Sequence, residues 1–243
     1  MSQKIDVISS SGNAKFQTWR SLLNAKGIKN ENLFLLSGEK IVKEFLENSD
    51  LEISCELIRK ELFPLQVKKN VFELDKVLFN ELDVIGTRFN ILVVQLPELE
   101  TSSPQAKIEG LEVVAPLGDP KNLGALIRSC VAFGVSKIHL TEESAHPYHP
   151  QCIKASAGAV LKANLYKAGQ LKAWDLPTSW ALDSKGQDLS KIKRPESARI
   201  IVGEEGKGLA GFEQSQFVSI QTQDVESLNA TVAASLMLYS WKL

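Results

Sequence analysis

The stretch from Val113 to Gly134 constrains the fold more than any other part of the chain. A β-like run, Val113-Val114-Ala115-Pro116-Leu117, feeds a tight turn. The turn feeds a segment in which Leu123, Leu126, Ile127, Cys130 and Val131 recur at helical spacing. Asp119 or Asn122 can cap that helix, and Pro120 fits the turn before it. Arg128 falls on a different face from Leu126 and Ile127. An arginine beside a strand-to-helix turn is well placed to hold a phosphate or a carboxylate. The same residues also read as an ordinary turn with a surface arginine.

A chain of 243 residues accommodates one large domain or two small ones, and 44% apolar residues suffice for a real core. No apolar run reaches the roughly 18 residues of a membrane span. The first residues are polar and lack a signal core, so secretion is not expected. Cys55, Cys130 and Cys152 match no zinc pattern, which leaves reduced structural thiols in a cytoplasmic protein. Lys and Arg number 14 against 16 Asp and Glu in residues 1–110, and 14 against 13 in residues 111–243. Neither half carries the basic excess that announces a nucleic-acid binder, so such a reading has to come from local motifs.

Residues 97–110 are polar, contain two prolines and read as a linker between domain 1–96 and domain 111–243. Ahead of it, 14–26 and 38–48 look helical, and 33–36, 51–58 and 91–94 look like strands, which suggests a small α/β domain. Beyond it, strands are expected at 112–117, 137–141, 178–183, 199–203 and 217–221, with helices at 122–133, 150–162 and 226–241. This second half reads as a βαβ-type sheet, whose ligands sit beyond the carboxyl ends of the strands.

Three further segments carry candidate chemistry. In Gly203-Glu204-Glu205-Gly206-Lys207-Gly208-Leu209, glycines let the backbone approach a ligand. The spacing is neither a dinucleotide fingerprint nor a P-loop. Two adjacent glutamates repel a diphosphate, so a nucleotide here is held by base and ribose or carries a positive centre; a flexible surface turn is the alternative. In Glu226-Ser227-Leu228-Asn229-Ala230-Thr231, Asp224 or Ser227 can cap a C-terminal helix that is small and apolar nearly all round and therefore packs against something. In Lys154-Ala155-Ser156-Ala157-Gly158-Ala159, small residues permit close packing. His139, in a strand-like run, reads as a packed histidine. His146 and His149, without a third ligand, read as part of a structured loop, and no metal is expected.

Taken together, these segments resemble the SpoU (TrmH-like) family of RNA ribose 2′-O-methyltransferases, within the SPOUT superfamily. Residues 119–134 match the D-P-x-N-x-G-A-x-x-R-(S/T)-x-x-A-F-G motif, 203–209 match G-x-E-G-x-G-L, 226–234 match E-S-L-N-x-(S/T)-V-A-A, and 155–159 match A-S-x-G-A. The stretches from Ile8 to Lys15 and from Phe34 to Lys40 resemble, more loosely, the small substrate-binding domain of many such enzymes. Two positions depart from the family: Gln221-Thr222 stand where it usually has proline and methionine, and Lys154 stands where it often has arginine.

The resemblance implies a SPOUT-type α/β domain with a trefoil knot and a mostly parallel sheet, preceded by a small α/β substrate-binding domain. It implies S-adenosylmethionine as cofactor, RNA as partner (ribosomal RNA favoured over tRNA) and a homodimer. By the same token Arg128, Asn122, Glu205, Ser227 and Asn229 are the catalytic candidates. Gly203, Ile220, Leu228, Gly208 and Leu209 are the cofactor-binding candidates, and Lys154, Ser156 and Lys15 the substrate-binding ones. The competing readings are a relative that methylates a base or a tRNA ribose, a non-catalytic RNA-binding assembly factor, and an unrelated nucleotide-binding α/β protein.

Overall fold

A computed structural model describes residues 5–65, 67, 69–203 and 208–242. In chain order its elements begin with β1 (Ile5–Ile8), α1 (Ala14–Ser21), α2 (Ala25–Glu31), β2 (Leu33–Leu36), α3 (Glu39–Asn48), β3 (Ile53–Arg59), β4 (Asn70–Leu74), α4 (Lys76–Leu82) and β5 (Ile91–Gln95). There follow β6 (Leu111–Ala115), α5 (Pro120–Ala132), β7 (Lys137–Leu140), α6 (Pro150–Ala155), β8 (Leu165–Lys167), β9 (Ser179–Asp188), β10 (Ala198–Ile201), β11 (Gln216–Ser219) and α7 (Ala230–Trp241). Among the described residues no helix is long and apolar enough to cross a membrane.

The chain divides into two compact units, Met1–Glu98 with His146–Leu161, and Leu99–Ala145 with Lys162–Leu243. The first is built on a five-stranded sheet of order β1-β4-β3-β5-β2. Strands β1, β4 and β3 run parallel, and β5 runs antiparallel to both of its neighbours, β3 and β2. Four of the five strands therefore end at the same edge. The single helix expected over 14–26 is two helices, because the chain turns at Leu22–Asn24. Gly27 of α2 sits so close to the Ser21 carbonyl that a Cβ would lie 2.0 Å from its oxygen. The segment 146–161 completes this unit: Tyr148 stacks on Phe34 at 4.9 Å between ring centroids, and Gly158, at φ +83°, faces Ile41.

The second unit is a six-stranded sheet of order β11-β9-β10-β6-β7-β8, parallel at every pairing. Its central strands read Leu-Glu-Val-Val-Ala and Ala-Arg-Ile-Ile and are buried throughout, as a doubly covered parallel sheet requires. Strand β8 was not apparent from sequence; three residues are too few to show a period. Of residues 97–110, expected as a linker, 99–110 belong to this unit: Thr101 bridges to Lys167, and Arg199 donates to the carbonyls of Pro104 and Ala106.

Arg199 belongs to a buried polar cluster on one face of the sheet. Its guanidinium meets Glu112 at 2.9 Å, and both side chains are 1% exposed. His139 lies 3.1 Å from the same Glu112 oxygen through Nε2 and 2.9 Å from Ser102 Oγ through Nδ1. Its ring packs against Trp174, tilted by 37°, at 4.6 Å between centroids. Burial alone pushes the Glu112 carboxyl up, but His139, the Glu109 N–H and Arg199 together hold it below the usual range. His139 is thus a packed histidine, as its strand setting suggested.

Helix α5 begins where Asp119 accepts from the N–H groups of Lys121 and Asn122, with Pro120 at the first helical position. Helix α7 begins four residues later than expected. Its cap is Asn229, which accepts from Thr231 and Val232, so residues 226–229 lie outside the helix as a loop. The two helices run side by side in the same direction. The Thr231 hydroxyl donates to the Asn122 carbonyl at 3.3 Å, Ser129 and Ser235 share a 2.7 Å hydroxyl contact, and Phe133 meets Tyr239 edge-on.

Candidate active site

A cavity of about 480 Å³ opens in the second unit at the carboxyl ends of β9, β10 and β11. Each wall traces to a local feature of the chain. Strand β9 pairs with β11 in two registers: Ala181 lies opposite Phe217, yet Gln187 lies opposite Val218. The intervening residues of β9 bulge away, and the bulge carries Leu182, Asp183 and Ser184 into the cavity wall. Gly186 makes the return possible, since a Cβ there would lie 2.4 Å from the backbone of Phe217 and Val218.

The second wall is the glycine loop. Gly203 and Gly208 both line the cavity and face each other, with the Cβ position of Gly203 3.5 Å from the Gly208 Cα. Gly208 has φ +59°, a conformation that favours glycine. Glu205 lies outside the described residues.

Past Gly208 the chain is anchored by Asp175, whose buried carboxylate accepts from the N–H groups of Glu213, Gln214 and Ser215, from the Ser215 hydroxyl, and from Lys172 Nζ at 3.1 Å. Burial alone would raise this carboxyl; the backbone donors, Lys172 and Ser215 overcome that and hold it far below the usual carboxylate range. The side chain of Leu209, a residue expected at the cofactor, packs in the core with Val114, Trp174, Ala181 and Ile201.

The third wall is the loop before α7. Glu226, Ser227, Leu228, Asn229, Ala230 and Ala233 line the cavity, together with Ile220 after β11. Because the Asn229 amide oxygen caps its own helix, its NH₂ is the group left to meet a ligand. Asp183, Ser184 and Glu226 were missed as site residues. The one available signal was the polar turn Asp183-Ser184-Lys185-Gly186 immediately after an apolar run.

Arg128 is exposed on α5, one turn beyond Gly124 and on the helix that α7 packs against. Its guanidinium has no ion pair or hydrogen bond among the described residues, so it is available to an anion. Asn122 sits in the first turn of the same helix. The remaining candidates belong to the first unit. Lys154 is exposed and its Nζ donates to the Val84 carbonyl at 3.0 Å, while Lys15 is exposed with Nζ 4.2 Å from the centroid of Phe72. Ser156 is buried, its hydroxyl committed to Ile153 and Val160 of its own turn. Among the described residues no group of three or more His, Cys, Asp or Glu is placed to hold a metal ion.

Residues 111–239 match the model of the SpoU rRNA methylase family. The chain is 34% identical, over 96% of its length, to the ribosomal RNA small subunit methyltransferase G 2 of Syntrophobacter fumaroxidans, of which it spans 48%. It is 25% identical to the 23S rRNA (guanosine(2553)-2′-O)-methyltransferase RlmP of Bacillus subtilis, with 96% of this chain and 97% of that protein aligned. The chain thus spans about half the length of the first of these relatives and nearly all of the second. Two solved structures share the fold. An AdoMet-bound rRNA methyltransferase from Sinorhizobium meliloti superposes at TM-score 0.78 with 20% identity, covering 97% of each chain. AviRb of Streptomyces viridochromogenes, solved with AdoMet, superposes at 0.80 with 20% identity, covering 94% of this chain and 96% of that one.

Proposed function

The chain belongs to the SpoU rRNA methylase family, and from that premise we propose that it transfers a methyl group from S-adenosylmethionine to a ribose 2′-hydroxyl of ribosomal RNA. The observation that carries this reading is the cavity itself, walled jointly by Gly203 and Gly208, by Ile220, and by residues 226–230. Two sequence motifs, 203–209 and 226–234, meet with the strand end at Ile220 and the bulge of β9 in one pocket at the ends of parallel strands.

The pocket suits the cofactor. Its volume lies in the range of small-molecule sites. Its described lining carries two carboxylates, Asp183 and Glu226, and no lysine or arginine, which favours a cationic ligand over a phosphate-rich one. Gly203, Ile220 and Leu228 would hold adenine and ribose through backbone groups, with Ser227 and the Asn229 amide as the floor. When bound, S-adenosylmethionine supplies a methyl group on a positively charged sulfur.

Arg128 acts on the RNA. A guanidinium stays protonated, so it is no general base. It holds the neighbouring phosphate and stabilises the alkoxide that develops at the 2′-oxygen, while a phosphate oxygen or water takes the proton. Asn122 and Glu205 orient the arginine or the RNA, and the trefoil knot belongs to the same proposal. The first unit is the RNA-holding domain, with Lys15 and Lys154 among its contacts, and the enzyme works in the cytoplasm.

The working form is a homodimer. Val232, Leu236 and Tyr239 follow one another along a single face of α7 and remain 48%, 45% and 57% exposed. A helix that is apolar nearly all round leaves this stripe for a second copy to cover.

The direct test is methyl transfer from isotopically labelled S-adenosylmethionine to ribosomal RNA from a strain lacking the gene. The wild type incorporates label into ribose. Arg128→Ala lowers kcat by about a hundredfold or more, the loss typical of removing one transition-state charge stabiliser, while cofactor affinity is retained. Near-normal turnover by Arg128→Ala overturns the assignment.

A further inference from the structure

The first unit carries one aromatic side chain that its own fold does not use. Phe63 is 88% exposed. It stands in the loop after β3, and that loop is held from beneath. The carboxyl of Glu56, fully buried, accepts from the Leu65 N–H at 2.9 Å. Asn90, also buried, donates to the Phe63 carbonyl at 2.8 Å and to the same Glu56 carboxyl. A buried acid and a buried amide thus fix the backbone on which an exposed phenyl ring is mounted.

Cations stand at this end of the sheet, together with one exposed acid of the same loop, Glu61, which pairs with Arg59 at 3.3 Å. Four of the five strands of this sheet end at the edge where the loop lies, and β5 begins there, since Leu57 pairs with Ile91. Lys60 is exposed in the same loop. The loop before β5 is fixed in the same manner: Asp83 accepts from the Gly86 and Arg88 N–H groups, at 3.0 and 2.8 Å, and leaves Arg88 exposed at φ +56°. Asn90 joins the two loops. Lys154 reaches this second loop through its bond to Val84.

We propose that Phe63, with Lys60 and Arg88, is a stacking platform for an unpaired nucleobase of the RNA substrate. A base stacks on one face of an exposed aromatic while lysine and arginine of the adjoining loops meet the flanking phosphates. The platform rests on the reading of the chain as an RNA methyltransferase and adds to it a preference for single-stranded RNA in the first unit.

The test measures binding of a fluorescein-labelled, uridine-rich single-stranded RNA and of an RNA duplex of equal length, by anisotropy. Phe63→Ala weakens single-stranded binding about tenfold, the effect of losing one stacked base. Phe63→Trp preserves it, Phe63→Leu behaves like Ala, and duplex binding is unchanged throughout. Thermal stability is unchanged in all three, because the ring touches no core. Equal single-stranded binding by wild type and Ala, or equal binding by Leu and Trp, overturns the proposal. So does a change in sedimentation of the Ala variant, which would make Phe63 a protein contact. Methyl-transfer assays on the same proteins separate the two readings. If the wild type transfers no methyl group yet binds RNA through Phe63, the proposed activity falls and the platform stands. If the wild type is active and Phe63→Ala leaves the KM for RNA unchanged, the platform falls and the activity stands.

Discussion

Both units of this protein bury a carboxyl to hold a loop, and they do so differently. In the second unit Asp175 gathers three backbone N–H groups, a hydroxyl and an ammonium, and the loop it fixes runs on from the glycine wall of the cavity. In the first unit Glu56 has the Leu65 N–H and the Asn90 amide, and the loop it fixes faces outward with Phe63. The contrast follows from the sheets. A parallel sheet covered on both faces collects its loops around a pocket at the strand ends, where a small molecule is enclosed. In the mixed sheet of the first unit four strands end at one edge, where the loop carrying Phe63 lies.

Removing a charge from the buried cluster on the second sheet is expected to cost the most. Glu112→Ala strands the buried Arg199 and is expected to cost about 3–5 kcal/mol, read as a lower denaturation midpoint of the second unit. Glu56→Ala in the first unit leaves neutral donors without an acceptor and costs less, about 1–3 kcal/mol. Chemical denaturation with a separate probe in each unit checks both the order and the location.

The pH response sharpens the contrast. His146, in the first unit, is depressed from 6.5 to about 4, first by burial and then by the charges of Lys29 and His149. Its Nδ1 accepts from the Tyr148 N–H, which only the unprotonated nitrogen can do. The unfolded chain therefore binds a proton that the folded chain refuses. This contribution is complete above about pH 6.5 and fades as the pH falls through about 4. The Asp175 carboxyl is depressed as well, from an ordinary 3.8, so its contribution is present above that value and is lost only as the pH falls below it. On acidification the first unit weakens before the second. His146→Gln flattens the first limb and Asp175→Asn the second; a single shared limb in both variants would contradict the assignment.

Much of the second unit was legible from the chain, because its chemistry lies in contiguous motifs. Asp119, Pro120 and the apolar spacing of 123–131 announced α5 and its cap. The strand expected over 199–203 is β10, which ends at Ile201, two residues before Gly203. What was hidden depends on residues distant in sequence. The bulge that brings Asp183 to the cavity exists only against β11, and the assignment of 146–161 to the first unit depends on Phe34 and Ile41. Leu209 shows the opposite limit: its motif position gave no sign that its apolar side chain packs in the core beside Trp174 and Ile201. The start of α7 was misplaced because Asp224, Ser227 and Asn229 are all good caps, and the one that accepts from the first-turn N–H groups is Asn229.

The smallest expected effect concerns the open face of α7. Leu236→Ser is expected to alter the stability of the isolated chain by no more than about 0.5 kcal/mol, as for an exposed position, yet to shift the mass measured by light scattering from dimer toward monomer. An unchanged mass removes this face from the interface.

Methylation of a ribosomal RNA ribose is the proposed activity, and mapping 2′-O-methyl groups across ribosomal RNA is its most immediate test. In a strain lacking the gene, a ribose methyl present in the parent should disappear, return with the wild-type gene, and stay absent with Arg128→Ala. A methylation map identical in parent and deletion strain would contradict it.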